Sequence, residues 1–356
     1  MFVTASNLTD YLLERGFVSP DVVLEEPYFV VEIERRNRNF KVRLDAHSGL
    51  FVKQVKSLEP AAIATLDREA RYYAAVHDSP HLSPAVRALL PSLRHYDEVR
   101  RIVITDLIPD ATMLAELHAR DPETVRTTSS RLGSALAILH RELPVIANGL
   151  ASRGTLPAGV PWALTLDRTG YGAIEQFGPI GVQLSQMMQA VPGLTNALAM
   201  LRAIWSPDTI VHGDIKSDNL LVNAAGMKII DWELVDVGDS AWDVASVIKE
   251  HLVLDIFARV AAQSQPPAGT PMDFMAAARE FFNAYIAERP IGAPALPQFA
   301  GKCVRYTAAR LMMAILEYYQ ASPALDEVAA TILRTGVDLL RQPSSAAWML
   351  LNVPSV

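Results

Sequence analysis

The segment Leu50-Phe51-Val52-Lys53-Gln54-Val55 reads as a β-strand, in which every second residue shares a face. Its Phe51, Lys53 and Val55 face is apolar except for the lysine. From Pro60, which suits a first helical turn, the period lengthens. Ala62, Leu66, Glu69 and Tyr73 step by four, three and four along one helix face, so Glu69 interrupts an inward stripe. A lysine on an apolar strand face wants a buried partner, and a lone inward glutamate on the next element can supply it. Arg101 to Ile108 reads as a further strand running out into a loop. Leu220-Leu221-Val222 and Lys228-Ile229-Ile230 read as two short strands around the turn Asn223-Ala224-Ala225-Gly226, a β-hairpin.

After about residue 109 the pattern becomes helical. Leu132, Ala135, Leu136 and Leu139 share one helix face, with His140 at its end as a capping or packing histidine. A linker carrying Gly154, Pro157, Gly159 and Pro161 follows. Two helical patterns over residues 182–204 are then parted by Pro192-Gly193, and the second leads through Trp205 into the next strand. Later helices alternate with Pro-rich loops at Gln265 to Gly269 and Pro290 to Pro297. Arg310 to Tyr319 is apolar on several sides, which predicts burial. Methionine pairs at 187–188 and 312–313 could line an adaptable pocket, although core packing is their commoner use.

At 356 residues the chain is too long for one small core, and two unequal lobes are expected. A net charge of −7 argues against a nucleic-acid partner, which calls for a basic footprint. The single Cys303 excludes an intramolecular disulfide and suits a reducing cytoplasm. Asp10 and Glu14 break the first apolar stretch, so it does not read as a signal peptide. No apolar run approaches the length of a membrane span. A soluble, cytoplasmic protein with no membrane partner is the expectation; oligomeric state is left open.

The candidate chemistry lies in Val211-His212-Gly213-Asp214-Ile215-Lys216-Ser217-Asp218-Asn219-Leu220 and in Ile230-Asp231-Trp232-Glu233. The hairpin pattern brings Asp214, Asn219 and Asp231 to its edges. Oxygen-rich side chains gathered on apolar strands need a cation or proton among them. Magnesium on a nucleotide triphosphate fits, since it takes one or two carboxylates and completes its shell with phosphate oxygens.

The pattern H-G-D-x-x-x-x-N followed by I-D-W resembles the catalytic segment of the aminoglycoside phosphotransferase and choline kinase family, relatives of the protein kinases. Gly238-Asp239-Ser240-Ala241-Trp242-Asp243-Val244-Ala245 resembles the G-D-P-x-x-D-L-A segment that follows there. Together these motifs span about a tenth of the chain. The resemblance implies an α+β, bilobal protein-kinase-like fold. Its small antiparallel-sheet N-lobe would cover residues 1–106 and its larger, mostly helical C-lobe residues 107–356. It also implies ATP and Mg²⁺, with transfer of the γ-phosphoryl group to a hydroxyl. On that comparison Asp214 accepts or orients the hydroxyl proton, Asn219 and Asp231 hold magnesium, Lys53 holds the phosphates and Glu69 positions Lys53. The backbone of Thr105 to Leu107 would meet the adenine edge, and Leu221 and Ile230, core residues, would floor the base. His212, Asp239 and Asp243 would brace the catalytic loop.

Two departures matter. The segment Glu34 to Val42, where protein kinases place a glycine-rich loop, has no glycine. Asn37 stands where relatives often carry Asn. Arg35, Arg36 and Arg38 could bind triphosphate by charge, or simply form a solvated hairpin tip. Lys216 stands where antibiotic kinases often have His and where Ser/Thr protein kinases have Lys. There it could neutralise charge on the moving phosphoryl group, or pair with Asp218.

The acceptor is less defined. Residues 257–356 hold eight Lys or Arg against seven Asp or Glu, which is no acidic excess for a polycationic antibiotic. Tyr318, Tyr319, Trp348 and Phe299 could supply an aromatic cage for a choline-like group. A small-molecule alcohol, sugar or antibiotic leads. Ser/Thr side chains in the maturation of ribosomally made peptides come second, and a nucleotide-binding pseudokinase scaffold is the rival from another class.

Overall fold

The computed structural model describes residues 2–25, 27–34, 37–264 and 273–354. Arg35, Arg36 and the Pro-rich loop from Gln265 lie outside the described residues. The chain forms two compact units. One comprises the residues up to Glu116 with Glu142–Pro157 and Ser217–Val235; the other comprises Leu117–Arg141, Ala158–Lys216 and Asp236–Val356.

The first unit is built on a five-stranded sheet: β1 Phe29–Glu34, β2 Arg38–Arg43, β3 Gly49–Gln54, β4 Leu93–Asp97 and β5 Ile102–Asp106. The strands lie in the order β1-β2-β3-β5-β4, each antiparallel to its neighbours. Alternation along these strands sorts their side chains onto two faces. Phe40, Val42, Leu50, Val52, Ile102 and Ile104 pack on one face against Leu8, Tyr11 and Leu12 of the N-terminal helix Leu8–Glu14. On the other face Val55 and Val103 pack against Leu66 and Ala70 of the helix Pro60–Asp78. Lys53 pairs with Val103 across β3 and β5, so it shares this second face. The first face was not anticipated as a core. Asp10 and Glu14 mark the exposed side of the short helix that closes it, and Asn37 leads into β2.

The hairpin of this unit runs through Leu220–Asn223 and Gly226–Ile229. Thr112–Met113 adds a third strand beside Leu221 and Val222.

The second unit is helical. Its central helix, Leu296–Tyr319, is buried along most of its length. It packs with Ser240–Ser264, Glu327–Arg341 and Pro343–Leu351. The expected break at Pro192-Gly193 separates the helices Pro179–Gln189 and Leu194–Ala203. Helices Thr124–Glu142 and Phe274–Glu288 approach so closely that a Cβ added at Gly133 would lie 2.2 Å from the Phe281 carbonyl oxygen. Gly133→Ala is therefore expected to destabilise the protein by about 2 kcal/mol through overpacking. Urea unfolding would read this as a lower midpoint at unchanged slope. An unchanged midpoint would mean that the two helices part easily. Among the described residues no helix is long and apolar enough to cross a membrane.

Candidate active site

In the first unit Lys53 is the centre of a charge cluster. Its side chain is 9 % exposed, and its Nζ lies 2.7 Å from Glu69 Oε2, 2.5 Å from Asp231 Oδ1 and 3.6 Å from Glu233 Oε2. Glu69 reaches it because the Pro60–Asp78 helix buries Leu66, Glu69 and Tyr73 together, and Tyr73, one turn on, donates its hydroxyl to Glu69 Oε1 at 3.1 Å. Burial alone would discharge the ammonium, but Glu69, Asp231 and Glu233 outweigh it and raise the Lys53 pKa. Burial also pushes the Glu69 pKa up; Lys53 opposes this, while Asp231 and Glu233 add to it. With all groups ionised, three carboxylates around one ammonium leave an excess of two negative charges.

Asp231 owes its position to a backbone device. It has φ 67° and ψ 53°, the left-handed region, uncommon for a residue with a Cβ. The next residue locks it: Trp232 donates Nε1 to Ile229 O at 2.9 Å and stacks on Tyr72 with ring centroids 4.5 Å apart. At the other arm of the hairpin, Asn219 accepts from Ile230 N at 2.9 Å through its backbone carbonyl. Asn219 and Asp231 thus flank the same hairpin end, as the strand pattern required.

This donor set fits magnesium. Asp231 offers a carboxylate that is 38 % exposed, Asn219 offers an amide, and the cluster carries surplus negative charge for a divalent ion to cancel. Mg²⁺ needs no more from a protein, because water and phosphate oxygens complete its octahedron.

The remaining residues expected here are less simply placed. Thr105 is buried within β5, paired with Phe51 and Leu93. The Leu107 N–H donates to Gly49 O at 2.9 Å, and the Asp106 N–H to Ser92 O at 2.9 Å. An adenine bond from either amide would compete with these. Leu221 and Ile230 are half-buried, not the core residues the sequence suggested. Their neighbours Leu220 and Ile229 pair across the hairpin and take the core face instead, because successive strand residues point to opposite sides. Asn37 Nδ2 donates to Glu233 Oε2 at 3.3 Å, which ties the residue before β2 to the carboxylate cluster. Glu233 was missed as a member of that cluster, although it stands in the quoted motif.

In the second unit Asp214 is held from both sides. Lys216 Nζ lies 2.7 Å from its Oδ2, and Arg310 Nη2 lies 3.1 Å from its Oδ1. Burial pushes the Asp214 carboxyl up, but Arg310 and Lys216 outweigh this and hold it well below the usual carboxylate range. Gly213, at φ 84°, makes the turn before it. The loop is pinned by Asp243, whose Oδ2 accepts from His212 N at 2.7 Å and whose Oδ1 accepts from Gly213 N at 3.0 Å. His140 Nε2 lies 3.2 Å from the same Oδ2, and its Nδ1 lies 2.9 Å from Tyr285 Oη. Asp239 accepts from Ser206 N, Ala241 N, Lys302 Nζ and Tyr306 Oη.

Asp243 is fully buried. Burial raises its pKa, yet the His140, His212 and backbone donors lower it further, so the net shift is downward. A carboxyl depressed by folding contributes stability above its unfolded pKa, near 3.9, and loses it as pH falls through the folded value. Asp243→Ala should therefore cost about 3 kcal/mol at pH 7. It should also flatten the fall of stability below about pH 4. Urea unfolding across pH reads both effects, and a cost that persists undiminished in acid would contradict them.

A sequence model of the phosphotransferase enzyme family (APH) matches residues 30–265. The chain belongs to this family. As a phosphotransferase it has the kinase-like fold of solved relatives. A mutant of aminoglycoside 2'-phosphotransferase-IIIa in complex with GDP shares 14 % identity at a TM-score of 0.54, over 97 % of this chain and 99 % of that one. The GDP and kanamycin complex of APH(2")-IIIa shares 13 % identity at 0.53, over 96 % and 99 %. Choline kinase LicA from Streptococcus pneumoniae shares 13 % identity at 0.49, over 94 % and 99 %. At such identities the likeness to these phosphotransferases is one of fold. No curated protein matches the chain by sequence.

Proposed function

We propose that this phosphotransferase moves the γ-phosphoryl group of ATP to a hydroxyl of a small molecule, an alcohol, sugar or antibiotic. The observation that carries this is the Lys53, Glu69, Asp231 and Glu233 cluster, a buried, oriented ammonium beside an exposed carboxylate. Lys53 binds phosphate oxygens, with Glu69 fixing its direction. Asn219 and Asp231 would hold Mg²⁺, which when bound neutralises charge on the phosphate oxygens. Leu221 and Ile230, half-buried, would lie against the base, with the Thr105 to Leu107 backbone at its edge. Asp214 orients the acceptor hydroxyl. As the new O–P bond forms, the hydroxyl proton passes to the Asp214 carboxylate. The bond from γ-phosphorus to the bridging oxygen breaks, and its electron pair leaves with the nucleoside diphosphate. A carboxylate held this far below its usual range is a weak base, so the proton moves late, as suits a loose, dissociative transfer. Lys216, on the other Asp214 oxygen, stabilises charge on the moving group.

A peptide Ser/Thr acceptor is the second reading, favoured by Lys216 at 2.7 Å from Asp214, the lysine that protein kinases carry there. Nucleoside diphosphate release should be measured with ATP and with GTP, since the two aminoglycoside phosphotransferase structures named above hold GDP. The acceptor panel spans amino-sugars, choline-like alcohols, neutral sugars and Ser/Thr peptides. Product on a small molecule supports the first reading and product on a peptide the second. Nucleotide binding with no transfer to any of them would leave a scaffold.

A further inference from the structure

The helix Leu296–Tyr319 carries an arginine in its buried interior. Arg310 is 5 % exposed, and a guanidinium so placed needs compensation. Its Nη2 donates to Asp214 Oδ1 at 3.1 Å. Its Cζ lies 5.5 Å from the centroid of the Trp242 ring, a cation–π arrangement. Glu317 and Glu250 add attraction from further away. Its Nε, in contrast, is buried with no hydrogen-bond partner. An arginine kept for packing alone would be expected to satisfy its donors. This one leaves a donor unmet while holding Asp214. The Trp242 ring that carries it also donates Nε1 to Gly213 O at 3.3 Å, so one indole touches both the arginine and the residue preceding Asp214.

We infer that Arg310 is a positioning residue for phosphoryl transfer, fixing the Asp214 carboxylate through Oδ1 while Lys216 holds Oδ2. The inference rests on the reading of Asp214 given above. A carboxylate on a turn is free to rotate about its last torsion, which for Asp is broad and two-fold. Two cations on separate oxygens remove that freedom. Arginine suits the buried side, since it stays charged and never competes for the acceptor proton. Arg310 therefore acts through Asp214 without touching the substrate.

Arg310→Met, Asp214→Asn and the double variant form the test, with turnover measured on MgATP and whichever acceptor the native chain uses. Arg310→Met should lower kcat about 10- to 100-fold and leave the nucleotide Kd within about twofold. In the Asp214→Asn background the same replacement should change kcat by less than about threefold, because its route of action is already gone. Arg310→Lys should recover part of the loss. If Arg310→Met does not fold, Arg310→Lys takes its place in the cycle, with its smaller loss confined to the native background. Equal losses in both backgrounds, or none in the first, overturn the inference while leaving the phosphotransferase reading intact. A native chain that consumes no nucleotide with any acceptor overturns that reading instead. Coupling between the two positions in urea unfolding would then be structural only, and the positioning role would fall too.

Discussion

Replacement of Asp231 by Asn should cut turnover by on the order of a thousandfold or more, and it should weaken Mg²⁺-nucleotide binding as well. The residue has two jobs on the proposed reading. It supplies the anionic oxygen for magnesium, and it contacts Lys53 at 2.5 Å. Asn keeps the shape and one oxygen but loses the charge, so the surplus negative charge around Lys53 falls from two to one. The left-handed backbone at this position tolerates Asn as well as Asp, so the variant should fold. Titration of nucleotide with and without Mg²⁺ separates the two jobs. In the native chain Mg²⁺ should strengthen nucleotide binding, and in Asp231→Asn most of that gain should vanish. Binding that depends on Mg²⁺ equally in both proteins would remove Asp231 from the metal site.

Asp214→Asn is the second large effect, and its signature is different. Turnover should drop by about 10²- to 10⁴-fold, the usual range for loss of a positioned acid–base group. Nucleotide affinity should stay near the native value, because the phosphate-side residues are untouched. The native pH profile carries a related expectation. Burial raises the Asp214 pKa, but Arg310 and Lys216 lower it by more, so the net shift is well downward. Asp214 is then ionised throughout the range in which the protein is assayed. Any acid limb in kcat above about pH 5 must come from another group, and an Asp214→Asn variant should keep that limb while losing amplitude. Comparing kcat across pH for the two proteins checks this. A limb present in the native chain and absent from Asp214→Asn would assign the titration to Asp214, and with it a stronger base than the structure supports.

Several features of this protein could be read before any coordinate. Lys53 and Glu69 each stood alone on an apolar face. The strand and helix periods required those faces to be buried, and a buried charge requires a partner. The structure brings them together at 2.7 Å. The hairpin pattern likewise brought Asn219 and Asp231 to one end. The motif H-G-D-x-x-x-x-N with I-D-W identified the family, because residues few in number and fixed in spacing carry it.

What could not be read shares one physical cause. Periodicity says which way a side chain faces within its own element and says nothing about what another element places opposite. Arg310 stood in plain view in a helix expected to be buried, and a buried arginine is a question that burial alone does not answer. Its partner Asp214 is 96 positions away, and only the packing of two elements decides that pairing. Glu233, two residues beyond Asp231, became a third carboxylate around Lys53, 3.6 Å from its Nζ. The Leu107 amide went to Gly49 because β3 and β5 are neighbours in the sheet. Leu221 and Ile230 exchanged the core face for a half-buried one because the pairing of Leu220 with Ile229 set the phase of the hairpin. The local sequence thus determined the elements, the lone charges and the family. Tertiary packing decided how those charges are shared, since Coulomb and hydrogen-bond energies depend on distances that no spacing along the chain encodes.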